Sequence, residues 1–142
     1  MYKIAEIGVE QTYPIRLQVL KTNEKYQYKY KGDFLPTTKH FGVFDADKLV
    51  GIVTVMEVNN PNLKGDAVQL RGMAVCKEYQ HKGLGKLLVN HIEKVYKHKD
   101  LLWCNARDYA AGFYNSLGFT TFGKKFYIKN VCYHYVMYKN LD

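Results

Sequence analysis

No apolar run in this chain approaches the ~20 residues that a membrane-spanning helix requires. The first residues, Met1-Tyr2-Lys3-Ile4-Ala5-Glu6, lack the apolar core of a secretory signal. A cytoplasmic protein with no membrane partner is therefore expected. Cysteine is sparse: Cys76, Cys104 and Cys132 are odd in number, widely spaced and without a Cys-x-x-Cys pair. That excludes a disulfide framework and a thiolate metal site, so no metal is expected and the thiols should be reduced and structural. Acidic residues are in deficit, 13 against 21 Lys and Arg, for a net charge of +8. Such an excess can serve nucleic acid or an anionic small molecule. The lysines are scattered, and no helix-turn-helix, zinc module or aromatic-basic RNA motif is present, so no nucleic-acid partner is expected. Internal repeats and linkers are missing too. What is there is ordinary for a globular chain: 142 residues, 47% hydrophobic and 24% charged, with 13 tyrosines as the one unusual feature. One domain over residues 1–142 is expected.

The chain is organised around Val75-Cys76-Lys77-Glu78-Tyr79-Gln80-His81-Lys82-Gly83-Leu84-Gly85-Lys86. An apolar run from Leu70 to Val75 precedes it and reads as a buried strand. After it, apolar residues at 87, 88, 92, 95 and 96 recur at helical spacing. A glycine-bearing turn thus joins a strand to a helix N-terminus. There the first amides lack partners and the macrodipole is positive. Glycine lets an anion approach the backbone, and His81, Lys82 and Lys86 add positive charge. The stretch reads either as a pyrophosphate cradle or as a plain strand-to-helix turn. The dinucleotide fingerprint fails because Leu88 stands where a third glycine belongs, and the P-loop pattern is absent.

A second block follows. Leu101 to Ala106 reads as a strand, and Arg107 to Leu117 as a short helix closed by Gly118. Gln80-x-x-Gly83-x-Gly85 after an apolar strand, followed by Ala111-Gly112-Phe113-Tyr114-x-x-Leu117-Gly118-Phe119, resembles the acyl-coenzyme A signature and the later motif of the GCN5-related N-acetyltransferases (GNAT). The resemblance spans nearly the whole chain in element order. It implies an α+β fold with a mixed, mostly antiparallel sheet, flanking helices and a splayed central strand pair. It also implies acetyl-coenzyme A (acetyl-CoA) as cosubstrate, and attack by a primary amine of a small molecule or peptide on the thioester.

By that resemblance Gln80, Lys82, Gly83, Gly85 and Lys86 contact the pyrophosphate, with His81 and Leu84 acting through their backbone. Met73, Ala74 and Val75 offer backbone groups to the pantetheine arm, and Asn105 and Phe113 lie beside it. Many members carry an asparagine seven residues ahead of the tyrosine, where this chain has Arg107. Tyr114 aligns with the tyrosine near the cofactor sulfur and is the candidate acid for the departing thiolate; it is otherwise half of a Phe-Tyr core pair. Candidate bases are Glu57, His134 and His40, each of which also reads as a structural side chain, or a bound water. A backbone amide of Val75 or Ala74 would meet the oxyanion. Gly72 in mid-strand marks a bulge.

Toward the N-terminus, Tyr2 to Ile7 reads as a strand and Gln11 to Leu20 as a helix, with Thr12 as N-cap and Pro14 in the first turn. Arg16 reads as a solvated or ion-paired side chain, or as an anchor for an anionic substrate group, with His40 beside it on the acceptor side. Lys21 to Lys39 shows no period and reads as a long loop, a substrate wall in the family. Within it Tyr26, Tyr28 and Tyr30 alternate, as a short strand or an aromatic wall. Asp33 is the only acid between Glu24 and Asp45, which argues against a pocket for polyamines. A homodimer through the tyrosine-rich last strand is possible on this pattern. A non-catalytic CoA-binding or nucleic-acid-binding module on the same fold is the alternative function.

Overall fold

The computed structural model describes residues 1–141. Strand β1 (Tyr2–Ile7) leads into helix α1 (Val9–Ile15), which continues as a π-helical turn, Arg16–Leu20. After a long loop come β2 (Lys39–Asp45), β3 (Lys48–Met56) and β4 (Ala67–Val75). Helix α2 (Leu84–Val95), β5 (Leu101–Arg107), α3 (Ala111–Ser116), β6 (Thr120–Ile128) and β7 (Cys132–Asn140) complete the chain. The seven strands form one sheet in the order β1-β2-β3-β4-β5-β7-β6. Only β4 and β5 run parallel; every other neighbouring pair is antiparallel.

Both faces of the sheet centre are covered, which is why β3 reads as a continuous apolar run rather than an alternation. Val53 and Val55 face α2, whose Leu84, Leu88, Val89 and Ile92 are buried against them with Leu102 and Met137. Ile52 and Ala74 point to the other face and pack with Ile15 and Leu20 beneath α1. Each such side chain contributes roughly 1.5–3 kcal/mol of burial. The core row of α2 is 84, 88 and 92, with Val89 and Tyr96. Leu87, counted on that face from spacing, is 41% exposed and lies off it.

The sheet opens at its centre. β4 and β5 pair only from Ala67↔Leu101 to Leu70↔Cys104. Beyond these rungs β4 stays with β3 as far as Val75, and β5 stays with β7 as far as Arg107. A bulge accompanies the divergence. Ile52 pairs with Ala74 but Thr54 pairs with Arg71, so β4 carries one more residue than β3 over this interval. Gly72 sits in the bulge at φ +59°, and a Cβ there would lie 2.7 Å from Cε2 of Tyr30.

The N-terminal helix departs from the expected one. It starts at Val9 with Gly8 as N-cap, and the Gly8 amide donates to Gln11 Oε1 at 2.8 Å. Thr12 is not the cap; it is buried inside the helix and its hydroxyl donates to the Val9 carbonyl at 2.6 Å. Pro14 lies near the end of α1 rather than in its first turn. A proline there supplies no N–H to the ladder, and the chain winds on as π-helix immediately afterwards. The alternating tyrosines of the loop form no strand.

Candidate active site

The turn between β4 and α2 holds His81 at φ +64° and Gly83 at φ +78°. Gly83 is the N-cap of α2, and the first helical bond runs from the Leu87 amide to the Gly83 carbonyl. The amides of Leu84, Gly85 and Lys86 therefore lack intrahelical partners and face outward at the positive end of a 12-residue helix. Gly85 is needed for a different reason: a Cβ there would lie 2.8 Å from the Phe113 ring. Gln80 ties the turn to the strand, donating from Nε2 to the Val75 carbonyl at 2.9 Å.

Tyr114 is fixed by the way α3 ends. Gly118, at φ +93°, follows the C-cap Leu117. The Phe119 amide donates to the Tyr114 carbonyl at 3.0 Å, and the Gly118 amide to the Asn115 carbonyl at 3.1 Å. This is a Schellman motif, and the Tyr114 and Phe119 rings supply its apolar contact at 5.3 Å. The Leu-Gly-Phe stop signal thus positions the tyrosine. Tyr114 is buried, and its hydroxyl meets only soft partners, Met73 Sδ at 3.9 Å and the neighbouring Cys104 thiol. Burial, and then Cys104, hold its pKa well above the phenol value, so it stays protonated. Burial likewise pushes the Cys104 thiol up to about 12.

Two cavities meet at this tyrosine. One, of about 590 Å³, is lined by Met73, Ala74, Val75, the Gln80–Lys86 turn except Lys82, and Phe113. The other, of about 430 Å³, lies between the diverging strands and under the loop, and includes Gln69, Asn105, Arg107, Tyr26 and His134. Leu20, Met73, Tyr109, Ala110 and Tyr114 belong to both.

The model of the acetyltransferase (GNAT) family matches residues 4–119. The chain belongs to the GNAT family. It is an acetyl-CoA-dependent N-acetyltransferase. It is 35% identical to the uncharacterized N-acetyltransferase YitI of Bacillus subtilis, over 99% of this chain and 97% of that one. Among solved structures, Escherichia coli ElaA is similar at a TM-score of 0.78 and 16% identity, covering 98% of this chain and 99% of that one. A Bacillus subtilis acetyltransferase in complex with CoA is similar at a TM-score of 0.67 and 18% identity, covering 99% and 98%.

The residues fit the cosubstrate of a GNAT enzyme. Three free amides, the open space at Gly83 and the exposed Lys86 and His81 suit a pyrophosphate. The edge of β4 from Arg71 to Val75, unpaired on the β5 side, suits a polar, extended arm. Lys82 is exposed and outside the cavity lining. Asn105 lines the second cavity rather than the one beside Phe113. Tyr79 was not singled out from sequence, yet it lines the first cavity, its hydroxyl donating to Asp45 Oδ2 at 2.7 Å. Its partner lies 34 positions earlier, so nothing local signals it.

The candidate bases separate. Glu57 lies just past β3, exposed, where it accepts from Lys99 Nζ at 2.9 Å and lines neither cavity. His134 is buried in β7, stacks on Phe126 and lines the second cavity. Its Nδ1–H donates to the Cys132 carbonyl at 2.8 Å, leaving the Nε2 lone pair available, and burial lowers its pKa. Arg16 and His40 belong to neither cavity. Arg16 is fully buried and donates to both Asp33 oxygens at 2.8 and 3.1 Å, to the Tyr28 carbonyl at 2.8 Å and to Thr54 Oγ1 at 2.7 Å. Its guanidinium lies 3.8 Å from the Tyr30 ring centroid. Of the two readings of Arg16, this is the ion pair. Thr54 in turn donates to His40 Nδ1 at 2.7 Å, and His40 Nε2–H donates to the Asp33 carbonyl at 3.1 Å.

That network requires a neutral His40, and burial lowers its pKa accordingly. An unfolded imidazole takes up its proton near ~6.5. Below that pH the unfolded chain binds more protons than the folded one through His40 and His134, so stability falls as pH falls. Each group contributes a slope of up to about 1.4 kcal/mol per pH unit between its unfolded and folded pKa. Calorimetric melting is expected to show little change of Tm from pH 7.5 to about 6.5 and a steady loss from there to about pH 5. A His40→Gln variant should lose stability outright at pH 7.5 and show a shallower decline; an unchanged slope would place the effect elsewhere.

Proposed function

We propose that this enzyme acetylates a primary amine of a small molecule or peptide by direct transfer, with Tyr114 as acid and His134 as base. The observation that carries this reading is that one buried, protonated tyrosine is shared by the anion-cradling cavity and the cavity between the strands. When bound, acetyl-CoA supplies an activated thioester. The acceptor nitrogen bonds the acetyl carbon as the carbon–sulfur bond breaks. His134, neutral near pH 7 with Nε2 free, takes the proton of the acceptor nitrogen directly or through a water. Tyr114 gives its proton to the departing sulfur, since its hydroxyl is engaged only by weak sulfur partners. The unpaired amides of the β4 edge are the donors available to the developing oxyanion.

Calorimetric titration with acetyl-CoA tests the cradle. Micromolar binding is expected. Gly83→Glu, which puts a carboxylate beside the free amides, should weaken it by about 100-fold or more, an effect of ~2.7 kcal/mol. Gly83→Ala shares the positive φ but meets nothing within 4 Å, and should bind within a few-fold of the parent protein. Equal binding by the Glu variant would remove the pyrophosphate from this turn. Thiol release with a panel of amines then tests transfer itself.

A further inference from the structure

The cavity between the strands is lined by four cations, Lys25, Arg71, Arg107 and Lys129, and by no aspartate or glutamate among the described residues. Among the described residues none of the four makes an ion pair, whereas Arg16, Lys21, Lys99 and Lys139 do. The two arginines stand on opposite walls of the wedge. Arg71 is on β4 at the bulge, and Arg107 ends β5. Arg71 Nη1 donates to the Lys31 carbonyl at 3.2 Å and touches Met56 Sδ at the same distance, leaving Nη2 and Nε without acceptors among the described residues. Arg107 is oriented by the Leu20 carbonyl at 2.8 Å and the Tyr109 hydroxyl at 2.9 Å.

An amine arrives as an ammonium. Entry into a cavity with four positive charges and no carboxylate is unfavourable for a bare cation and worse for a polyamine. We infer that the acceptor carries an anionic group, a carboxylate or a phosphate, which Arg71 and Arg107 bind from the two walls. This rests on the reading of that cavity as the acceptor side. A guanidinium fork suits either oxyanion, and a zwitterion enters with no net charge to repel. The same field lowers the pKa of the bound ammonium, so a larger fraction is neutral and nucleophilic, and less is asked of His134. Anion capture and nucleophile activation therefore have one cause.

Matched amines test this in the thiol-release assay with saturating acetyl-CoA: glucosamine 6-phosphate against glucosamine, tyrosine against tyramine, ornithine against putrescine. The anionic member of at least one pair should be preferred in kcat/KM by about tenfold or more, and the pair that responds distinguishes phosphate from carboxylate. Arg71→Gln should raise KM for that member, lower kcat by a smaller factor and erase most of the preference, and Arg71→Lys should restore part of it. Equal use of both members of every pair, or preference for putrescine or spermidine, overturns the inference and leaves acetyl transfer standing. Turnover of no amine by a protein that binds acetyl-CoA overturns the proposed function and this inference together.

Discussion

Asp33→Ala is expected to cost about 3–5 kcal/mol of stability, measured as the shift of the urea unfolding midpoint at pH 7.5. The carboxylate accepts two bonds from Arg16 and one from the Tyr30 amide at 2.8 Å. Both side chains of the pair are fully shielded from solvent. Removing the anion leaves a guanidinium in the interior with only the Tyr28 carbonyl and Thr54 as acceptors, and its Nε already has none. A domain of this size has only ~5–15 kcal/mol in total, so the variant should sit near its unfolding threshold at 37 °C. The loss belongs to the stranded charge rather than to the pair as such. Arg16→Met combined with Asp33→Leu should therefore recover most of it, because two apolar side chains leave no unpaired ion behind. If the single variant unfolds at the parent's midpoint, the ion pair is not what holds the loop to β3.

Tyr114→Phe should lower kcat by about 100-fold or more, at the low end of what a positioned general acid contributes. Stability should hardly change. The hydroxyl gives up only weak contacts to the Met73 and Cys104 sulfurs, and the ring keeps its packing on Phe113 and Phe119. KM for acetyl-CoA should also hold, because the cradle is built from other residues. The change in kcat separates the two readings of this residue: a tyrosine that only packs the core would leave kcat near that of the parent, because phenylalanine keeps the ring contacts. In the parent enzyme the acid limb of the pH–rate profile should lie below the ordinary histidine range, because burial lowers His134. No alkaline limb from Tyr114 should appear near pH 10, because its phenol titrates well above that.

The order of elements and the two motif blocks were legible because their causes are local. A glycine that must adopt positive φ, a free helix N-terminus and a Schellman stop are each written within a few residues of where they act. Gly83 and Gly118 are of this kind, whereas Gly85 answers to the Phe113 ring 28 positions on. Arg16 is the opposite case. Its acceptors come from positions 28, 33 and 54, on a loop without period and a strand of another hairpin, and only the fold brings them together. Glu57 reads locally as a strand-end carboxylate, but its partner Lys99 lies 42 positions on, beyond any local pattern. The start of α1 is hard to read locally because glycine at an N-cap is a weak signal beside a threonine and a proline. The charge of the second cavity was hidden for a related reason: its cations come from the loop, β4, β5 and the β6–β7 turn.

The short parallel pairing also divides the molecule mechanically. Four rungs join a leaf made of β1 to β4 to a leaf made of β5, β7 and β6. A ligand whose arm runs along the vacant edge of β4 supplies hydrogen bonds that no strand supplies there, and so acts as a splint across the seam. Occupancy then becomes visible as rigidity. By mass action a ligand at 100 times its Kd adds ~2.7 kcal/mol to global stability. Slowed amide hydrogen exchange would be concentrated at Arg71 to Val75 and at the tip of β5, so the enzyme carries in its backbone a record of whether its cosubstrate is present.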